Sequence, residues 1–358
     1  MAERYVSPID PHVHLRGIEY TTNFLRLGFR DAQAVGLAAL IEQPNPQPWL
    51  TSAEIIQQRL ESSKTFRGPV IHRAHIGITN DYAQAARALT AVTLGDAEFV
   101  SDKIFYVHST GNMGVLDPDY QKRLWKLKAD MGYRGVSIGH FDAEDAFIGE
   151  FDPKRPITHS LRQHAGAELV QVERQIQNAY DAGFKGTFYI AHVSNPDTVK
   201  HVNTLKKTIN LPFEIAMEMT FHHALLNWED YAEQGNHVKM NPPLRSPERQ
   251  QQLYEQLLRG DVDIIGTDHA PHPLERKDSD NPPSGIPALP AWPLAIHKFR
   301  KDGMSEDTLK RLTFDTANRL FFRGELEPKI VDAEYYPELW NSYRYNPFMR
   351  IERDLNRA

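Results

Sequence analysis

Short apolar runs rich in β-branched residues alternate with longer amphipathic segments along most of the chain, and this rhythm narrows the folds open to it. The runs predict eight strands, at residues 4–9, 36–42, 69–77, 98–107, 135–139, 187–193, 212–219 and 262–267. Helical patterns lie between most of them; one begins at Ser246-Pro247 and ends at Gly260. Alternating strands and helices are typical of an α/β protein with a parallel sheet, and eight repeats favour closure into a (β/α)8 barrel of the TIM type.

The main alternative is an open, doubly wound sheet. That fold calls for a glycine-rich phosphate-binding turn after the first strand, and the segment DPHVHLRG at residues 10–17 is not such a turn. Past about residue 320 the rhythm breaks, because the tail is rich in aromatic and charged residues and shows no clear strand–helix unit. We therefore predict a barrel over residues 1–320 and a C-terminal extension packed on it over residues 321–358.

Composition restricts both the partners and the metal chemistry. The 358 residues carry a net charge of −6 without a basic stripe, which argues against a nucleic-acid partner. The N-terminus has no apolar run typical of a signal peptide, and no segment is long enough to span a bilayer, so a cytoplasmic location is expected. The chain has no cysteine, so any metal ion has to be bound through nitrogen and oxygen.

The segment DPHVHLR contains the first candidate metal ligands, His12 and His14. On an extended chain, residues two apart point to the same face, so both imidazoles would face the mouth of the barrel and could chelate one ion. An isolated His-x-His pair is more often two hydrogen-bonded structural histidines. The pair therefore needs partners elsewhere in the chain.

Candidate partners occur at the ends of other predicted strands. Lys103 lies within the strand-like run FVSDKIFYV, where a lysine is costly to bury. Burial lowers the pKa of a lysine, and the neutral amine reacts with carbon dioxide to form a carbamate, which can bridge two metal ions. The simpler interpretation is a lysine whose ammonium extends from the strand end to water. His140, His192 and Asp268 each stand at the end of a predicted strand, where TIM barrels place catalytic residues.

Several segments together resemble the ordered signatures of the dihydroorotases, members of the amidohydrolase superfamily. These segments are DPHVHLR, DKIFYVHST, SIGH, IAHVSN, NPPLR and GTDHAPH. They follow the family's order over residues 10–288, and the spacing from His14 to Lys103 and His140 is most similar to the short, single-domain bacterial class. The most specific pieces are the HxHxR start and the GTDHAPH segment.

The resemblance implies a centre of two Zn²⁺ ions held by residues at the strand ends: His12, His14, Lys103, His140, His192 and Asp268. The first two histidines and the aspartate would bind the more buried ion, and the other two histidines the more exposed one. The carboxylated lysine would bridge the ions together with a hydroxide. Such a pair of ions lowers the pKa of a bridging water and polarises the carbonyl that is attacked. Asp268 would accept the proton of the hydroxide and pass it to the leaving amide nitrogen.

The implied reaction is the reversible interconversion of (S)-dihydroorotate and N-carbamoyl-L-aspartate in pyrimidine biosynthesis, and the family suggests a homodimer. Dihydroorotate carries a carboxylate, which a guanidinium such as that of Arg16 can bind bidentately. The resemblance adds six positions that would contact the substrate: Asn45, Ser109, Thr110, Asn241, His272 and Ala288. Asn45 and His272 would help to hold the carboxylate, whereas Asn241 and Ala288 would meet the ring through backbone groups.

The segment 106–115 resembles the mobile lid of the family, in which Ser109 and Thr110 would reach the bound ring. Two departures bear on ring specificity. Thr110 is followed by Gly111 where a second threonine is usual, and Asn45 is followed by Pro46 where a threonine is common. Neither departure touches a predicted metal ligand.

Two other functions are compatible with parts of the pattern. A hydantoin- or ureide-type cyclic amidohydrolase would use the same metal site. Its substrate has no carboxylate, however, so Arg16 would have no such group to bind. A catalytically silent scaffold would be expected to lose ligands, and all six are present. His222 and His223 also echo the family, and we interpret them as structural or as supports of the ligands, because the ligand set is already complete.

Overall fold

The computed structural model describes residues 2–94, 99–108 and 113–357. These residues form the strands β1 Ala2–Val6, β2 Ile9–Val13, β3 Ala39–Glu42, β4 Ile71–Gly77, β5 Phe99–Phe105, β6 Val136–His140, β7 Thr187–Ile190, β8 Glu214–Thr220, β9 Ile264–Gly266 and β10 Ile330–Glu334. Strands β2 to β9 are parallel and hydrogen-bonded in chain order. After β9, His269 pairs with Val13 in parallel, so the last strand meets the first. The predicted TIM-type barrel is confirmed in this nearly closed ring.

Helices cover the outside of the ring. They are α1 Phe24–Ala34, α2 Ala53–Ser63, α3 Tyr82–Leu94, α4 Pro118–Asp130, α5 Ile157–Arg162, α6 Ala165–Ala182, α7 Pro196–Thr208, α8 Phe221–Leu225, α9 Asp230–Gln234, α10 Pro247–Arg259, α11 Leu274–Lys277, α12 Trp292–Lys301, α13 Glu306–Lys310, α14 Thr316–Phe322 and α15 Met349–Arg357. Short 3-10 turns occupy Glu144–Ala146, Gly235–Val238, Leu289–Ala291 and Pro337–Ser342, and Arg311–Asp315 form a π-helical turn. Within the described residues, no helix is both long and apolar enough to cross a membrane.

Helix α10 shows how the sequence sets the helix ends. The side chain of Ser246 accepts a hydrogen bond from the backbone N–H of Arg249, and Pro247 occupies the first turn, where its missing N–H costs nothing. Gly260 ends the helix with a φ of +75°, a conformation that glycine adopts without strain. Both predicted ends of this helix are therefore confirmed.

The predicted first strand, 4–9, is wrong in its bounds. The structure divides this region into β1, which lies outside the barrel, and β2, which begins at Ile9 and forms the first barrel strand. Pro8 lies between the two strands, and a proline cannot donate a backbone hydrogen bond to a sheet. As a result, His12 lies within the first barrel strand rather than in the loop that follows it.

The C-terminal tail contains regular structure that the sequence pattern did not indicate. Strand β10 pairs antiparallel with β1 in a separate two-stranded sheet, and α15 follows near the end of the chain. Trp340, Tyr343 and Phe348 are buried in the same apolar core as the barrel helices. The division into a barrel over 1–320 and an extension over 321–358 stays a prediction.

Candidate active site

Strand β2 directs His12 and the following His14 into the mouth of the barrel. Their ring centroids are 5.4 Å apart. His12 Nε2 lies 3.4 Å and His14 Nε2 lies 3.0 Å from Oδ1 of Asp268, which follows β9. One ligand atom from each of these three buried residues lies within 4.8 Å of the others, a spacing suited to one metal ion.

The other nitrogen of each ring has a buried partner that fixes its orientation. His12 Nδ1 lies 2.8 Å from Oε1 of Glu218, and His14 Nδ1 lies 2.5 Å from Oδ1 of Asn45. Since both oxygens accept, each Nδ1 carries the hydrogen and each Nε2 presents its lone pair toward Asp268. Glu218 also accepts from the hydroxyl of Tyr189 at 2.7 Å, which restrains the carboxylate.

His140 and His192 form a second cluster beside the first. Their ring centroids are 4.4 Å apart, and the ring of His192 lies 5.2 Å from that of His12. Asp142 Oδ2 lies 3.4 Å from His140 Nε2, and no described group partners His192 Nδ1. Burial lowers the pKa of both histidines, which keeps the rings neutral, as metal binding requires.

Lys103 lies on β5 beneath these histidines and is completely buried. Its Nζ has no hydrogen-bond partner among the described residues and lies 5.2 Å from the ring centroid of Phe105. Burial lowers the pKa of Lys103 to about 8, although Glu218 and Asp268 oppose the shift. An unpartnered buried amine is costly, and conversion to a carbamate would give it two oxygens able to bind metal. The residues present therefore fit the predicted metal centre.

Asp268 has the backbone and charge expected of a reacting carboxylate. Its φ of +45° lies in the left-handed region, which side chains other than glycine rarely adopt. Burial raises the pKa of this carboxyl, but the attraction to His12 and His14, which in their protonated form donate to it from Nε2, more than offsets that effect, and the pKa ends below its ordinary value. The carboxylate is therefore ionised at neutral pH.

Arg16 lies on the same side of the cavity as His14, two residues further along the chain. Its Nε donates to the carbonyl of Pro271 at 3.0 Å, and one terminal nitrogen lies 2.9 Å from His272 Nε2. Arg59 donates to the backbone carbonyl of Arg16, whose φ is +56°. Within the described residues the guanidinium makes no ion pair, although it is only 3% exposed. A buried, unpaired guanidinium at a cavity wall is suited to an anionic ligand.

The structure brings most of the predicted site residues to one cavity. The described residues that line it are His12, His14, Arg16, Asn45, Phe105, His140, His192, Asn241, Asp268, Ala270, Ser284 and Gly285. His272 lies behind Arg16, where Tyr20 contacts its Nδ1 at 2.7 Å. Ser109 and Thr110 lie outside the described residues.

Ala288 differs from the other predicted substrate contacts, because both of its backbone groups already have partners. Its N–H donates to His269 Nδ1 at 3.0 Å, and its carbonyl accepts from the N–H of Ala291 at 2.9 Å. Its contact with a substrate stays a prediction.

Sequence reasoning missed the carboxylates that orient the ligands. Glu218 and Asp142 are buried and contact His12 and His140. A signal was present for Glu218, which is the acidic residue within the buried part of strand β8, after the exposed Glu214. Its partner is 206 positions away in sequence, so only the fold reveals the pairing.

No family model matches the chain, but several curated proteins are similar to it over most of its length. The chain is 28% identical over 313 residues to the dihydroorotase of Halobacterium salinarum, covering 85% of this chain and 69% of that protein. It is 28% identical over 334 residues to the dihydroorotase of Archaeoglobus fulgidus, covering 90% and 73%. It is 30% identical over 283 residues to the dihydroorotase of Pyrobaculum aerophilum, covering 78% of this chain and 63% of that protein. The chain is similar in sequence to dihydroorotases over most of its length.

Solved structures agree on the fold of this dihydroorotase homologue. A dihydroorotase from Campylobacter jejuni superposes with a TM-score of 0.69 at 18% identity, covering 92% of this chain and 88% of that one. An L-hydantoinase from Arthrobacter aurescens gives a TM-score of 0.74 at 20% identity, covering 89% and 71%. At these identities the structures show a shared fold alone, and the fold hosts both kinds of cyclic amidohydrolase.

Proposed function

We propose that this cyclic amidohydrolase interconverts (S)-dihydroorotate and N-carbamoyl-L-aspartate, as a step of pyrimidine biosynthesis. The observation that carries the proposal is the unpaired guanidinium of Arg16 in the wall of the cavity that the histidine clusters line. A neutral ring such as a hydantoin would leave that buried charge without a partner, whereas the carboxylate of dihydroorotate would pair with it. The homology to dihydroorotases supports the same substrate.

Two Zn²⁺ ions would be held by the two clusters and by Lys103 carrying a carbamate. His12, His14 and Asp268 offer one compact ligand set, and His140 with His192 offer a second. When bound, the ions would activate a water molecule and polarise the amide carbonyl. Glu218 and Asn45 would keep the Nε2 atoms of the first pair of histidines turned toward the ion.

The proton transfer falls to Asp268. Its carboxylate is ionised, lines the cavity and lies beside both histidines of the first cluster. It can accept a proton from the attacking water and deliver it to the ring nitrogen as the amide bond breaks. In the reverse direction the same carboxylate would remove the proton from the ureido nitrogen.

The deciding experiment measures zinc content and turnover on the same preparation. We expect about two zinc ions per chain and hydrolysis of dihydroorotate at a kcat/KM at least about 100-fold above that for dihydrouracil or hydantoin, the preference expected of a buried charge-assisted pair. Two zinc ions with preferential hydrolysis of a neutral ring would favour the hydantoinase-type alternative. Zinc binding without any turnover would favour the silent scaffold.

Replacing Arg16 with methionine should raise KM for dihydroorotate about 10- to 150-fold and change kcat little. The reason is that one charge-assisted contact contributes about 1.5–3 kcal/mol, and the guanidinium lies on the cavity wall. Steady-state kinetics at fixed zinc saturation measure the effect. Residual turnover of a neutral cyclic amide serves as the control and should not fall. An unchanged KM for dihydroorotate would contradict the role of Arg16.

Zinc reloading of metal-free protein should become faster as pH rises from 6 to 8, provided that bicarbonate is added at each pH so that dissolved carbon dioxide, the species that reacts with the amine, stays constant. Burial lowers the pKa of Lys103 to about 8, so the neutral amine that forms a carbamate grows from about 1% of the population at pH 6 to about half at pH 8. Stopped-flow recovery of activity with and without bicarbonate measures the rate. A rate independent of both pH and bicarbonate would argue against a carbamate.

Two parts of the proposal concern the whole protein. Assembly as a homodimer and a location in the cytoplasm are proposed by analogy with the family.

Ser109 and Thr110 are proposed as substrate contacts from a lid that closes over the ring.

A further inference from the structure

The C-terminal tail, residues 323–357, reaches the back of the active site. Tyr343 lies just after the turn Pro337–Ser342 and is only 3% exposed. Its hydroxyl donates to Oδ2 of Asp31 on α1 at 2.5 Å, and the same oxygen lies 3.5 Å from Nε2 of His269. The tail therefore contacts the residue that directly follows Asp268.

The contacts of His269 determine where its ring carries the hydrogen. Nδ1 accepts the backbone N–H groups of Ala288 at 3.0 Å and Leu289 at 3.1 Å, so this nitrogen has no hydrogen of its own. A ring with no hydrogen on Nδ1 is neutral and carries its hydrogen on Nε2, so the ring N–H of His269 faces Tyr343. Tyr343 in turn gives its hydrogen to Asp31. The three side chains thus form one directed chain of donors and acceptors.

The backbone of His269 belongs to the site itself. Its carbonyl accepts the N–H of His14 at 2.7 Å, and its N–H donates to Thr267 Oγ1 at 3.1 Å. The preceding residue, Asp268, is in the left-handed conformation that its side chain does not favour. Any rotation of the His269 ring and backbone would therefore change how Asp268 and His14 face each other.

We propose that Tyr343 is a positioning residue for the active site: acting through His269, it holds Asp268 and the backbone of His14 in the orientation that brings their side chains together. The inference rests on the proposed function, because the proposed function assigns the reacting role to Asp268. The geometry around His269 and Tyr343 does not depend on which substrate is bound. The inference also gives the C-terminal tail a role in the active site. That role depends on the hydrogen bonds of the Tyr343 hydroxyl and not on the packing of its ring.

The test compares Tyr343→Phe with Tyr335→Phe. Tyr335 is a matched control, because it is a buried tail tyrosine whose hydroxyl bonds Trp340 and Glu352 and contacts no site residue. We expect Tyr343→Phe to speed hydrogen exchange in peptides covering residues 267–289 at least fivefold and to speed zinc loss to a chelator about tenfold. For dihydroorotate, kcat should fall about tenfold with KM within twofold. Tyr335→Phe should lower Tm and leave all of these values within twofold.

The outcomes separate this proposal from the proposed function. If both variants exchange residues 267–289 at the wild-type rate, Tyr343 has no positioning role. If the wild-type protein does not turn over dihydroorotate but Tyr343→Phe alone shows faster exchange and zinc loss, the positioning role stands and the substrate assignment fails. Should Tyr343→Phe not fold, Asp31→Asn removes the charged acceptor and keeps the tyrosine. It should show the same pattern at about half the size, and unchanged exchange would overturn the proposal.

Discussion

Replacing Lys103 with alanine is expected to lower kcat for dihydroorotate at least about 1,000-fold and to reduce bound zinc from two ions to about one. The lost electrostatic stabilisation amounts to several kcal/mol, and each 1.36 kcal/mol is tenfold in rate. The physical reason is that Nζ is buried with no hydrogen-bond partner among the described residues, and its carbamate would add two metal-binding oxygens and a negative charge from β5. Metal analysis and steady-state kinetics on the same sample measure both effects.

Two controls separate a carbamate from a simple positive charge. Lys103→Arg keeps the cation but cannot be carboxylated under the same conditions, so it should be as inactive as Lys103→Ala. A small carboxylic acid such as acetate would fit the space that the alanine variant leaves and supply the missing oxygens. Partial recovery of activity with acetate in Lys103→Ala, but not in Lys103→Arg, is the expected pattern. Full activity and full zinc content in Lys103→Ala would show that no bridging carbamate is used.

The barrel was predictable because its signal is periodic and local. Most barrel strands contain a few buried apolar residues, and a long helix such as α10 has its own start and stop residues, Ser246 and Gly260. The clustering of the predicted ligands was predictable for a related reason. In a parallel barrel all strands end at one face, so polar residues at strand ends lie close together whatever their distance in sequence.

The supports of the site were not predictable, because each depends on a contact between distant segments. Glu218 meets His12 across 206 positions, and Tyr343 meets Asp31 across 312. The sequence around each of these residues shows only a polar residue among apolar ones, and it does not indicate the partner. The split of the first strand into β1 and β2 has the same origin, since β1 is drawn away from the barrel by its pairing with β10 near the other end of the chain.

The left-handed backbone at Asp268 also escapes sequence reasoning. Nothing in the GTDHAPH segment marks a strained conformation, yet this φ, together with the His269 contacts, directs the carboxylate at both His12 and His14. Strained conformations persist where the surrounding contacts over-determine them, and they concentrate at functional sites.

Replacing Asp268 with asparagine should lower kcat for dihydroorotate by about 10²–10⁴-fold, the range for loss of a positioned general base, while KM changes by only a few-fold. Asparagine has nearly the same shape, so the contacts of the segment are kept, but the amide cannot accept the proton of the attacking water. The carboxylate is ionised at neutral pH because its pKa lies below the ordinary value, so wild-type activity should persist into mildly acidic pH until the histidine ligands protonate. Single-turnover hydrolysis at saturating zinc, measured from pH 5 to 9, isolates this step.

Glu218→Gln is the informative comparison for Asp268→Asn. Glu218 orients His12 and does not line the cavity, so its loss should weaken zinc binding about 10- to 100-fold but restore most of kcat once zinc is saturating. Asp268→Asn also replaces a carboxylate of the predicted metal site and should bind zinc more weakly, but it should stay inactive when zinc is saturating because its amide cannot accept the proton. If Asp268→Asn kept more than about a tenth of the wild-type kcat, its loss would be less than about tenfold. That loss is smaller than the smallest one expected when a general base is removed, so the proton would have to travel through another group. The neighbouring His269 is a poor substitute, since both of its ring nitrogens are already engaged by backbone N–H groups and Tyr343.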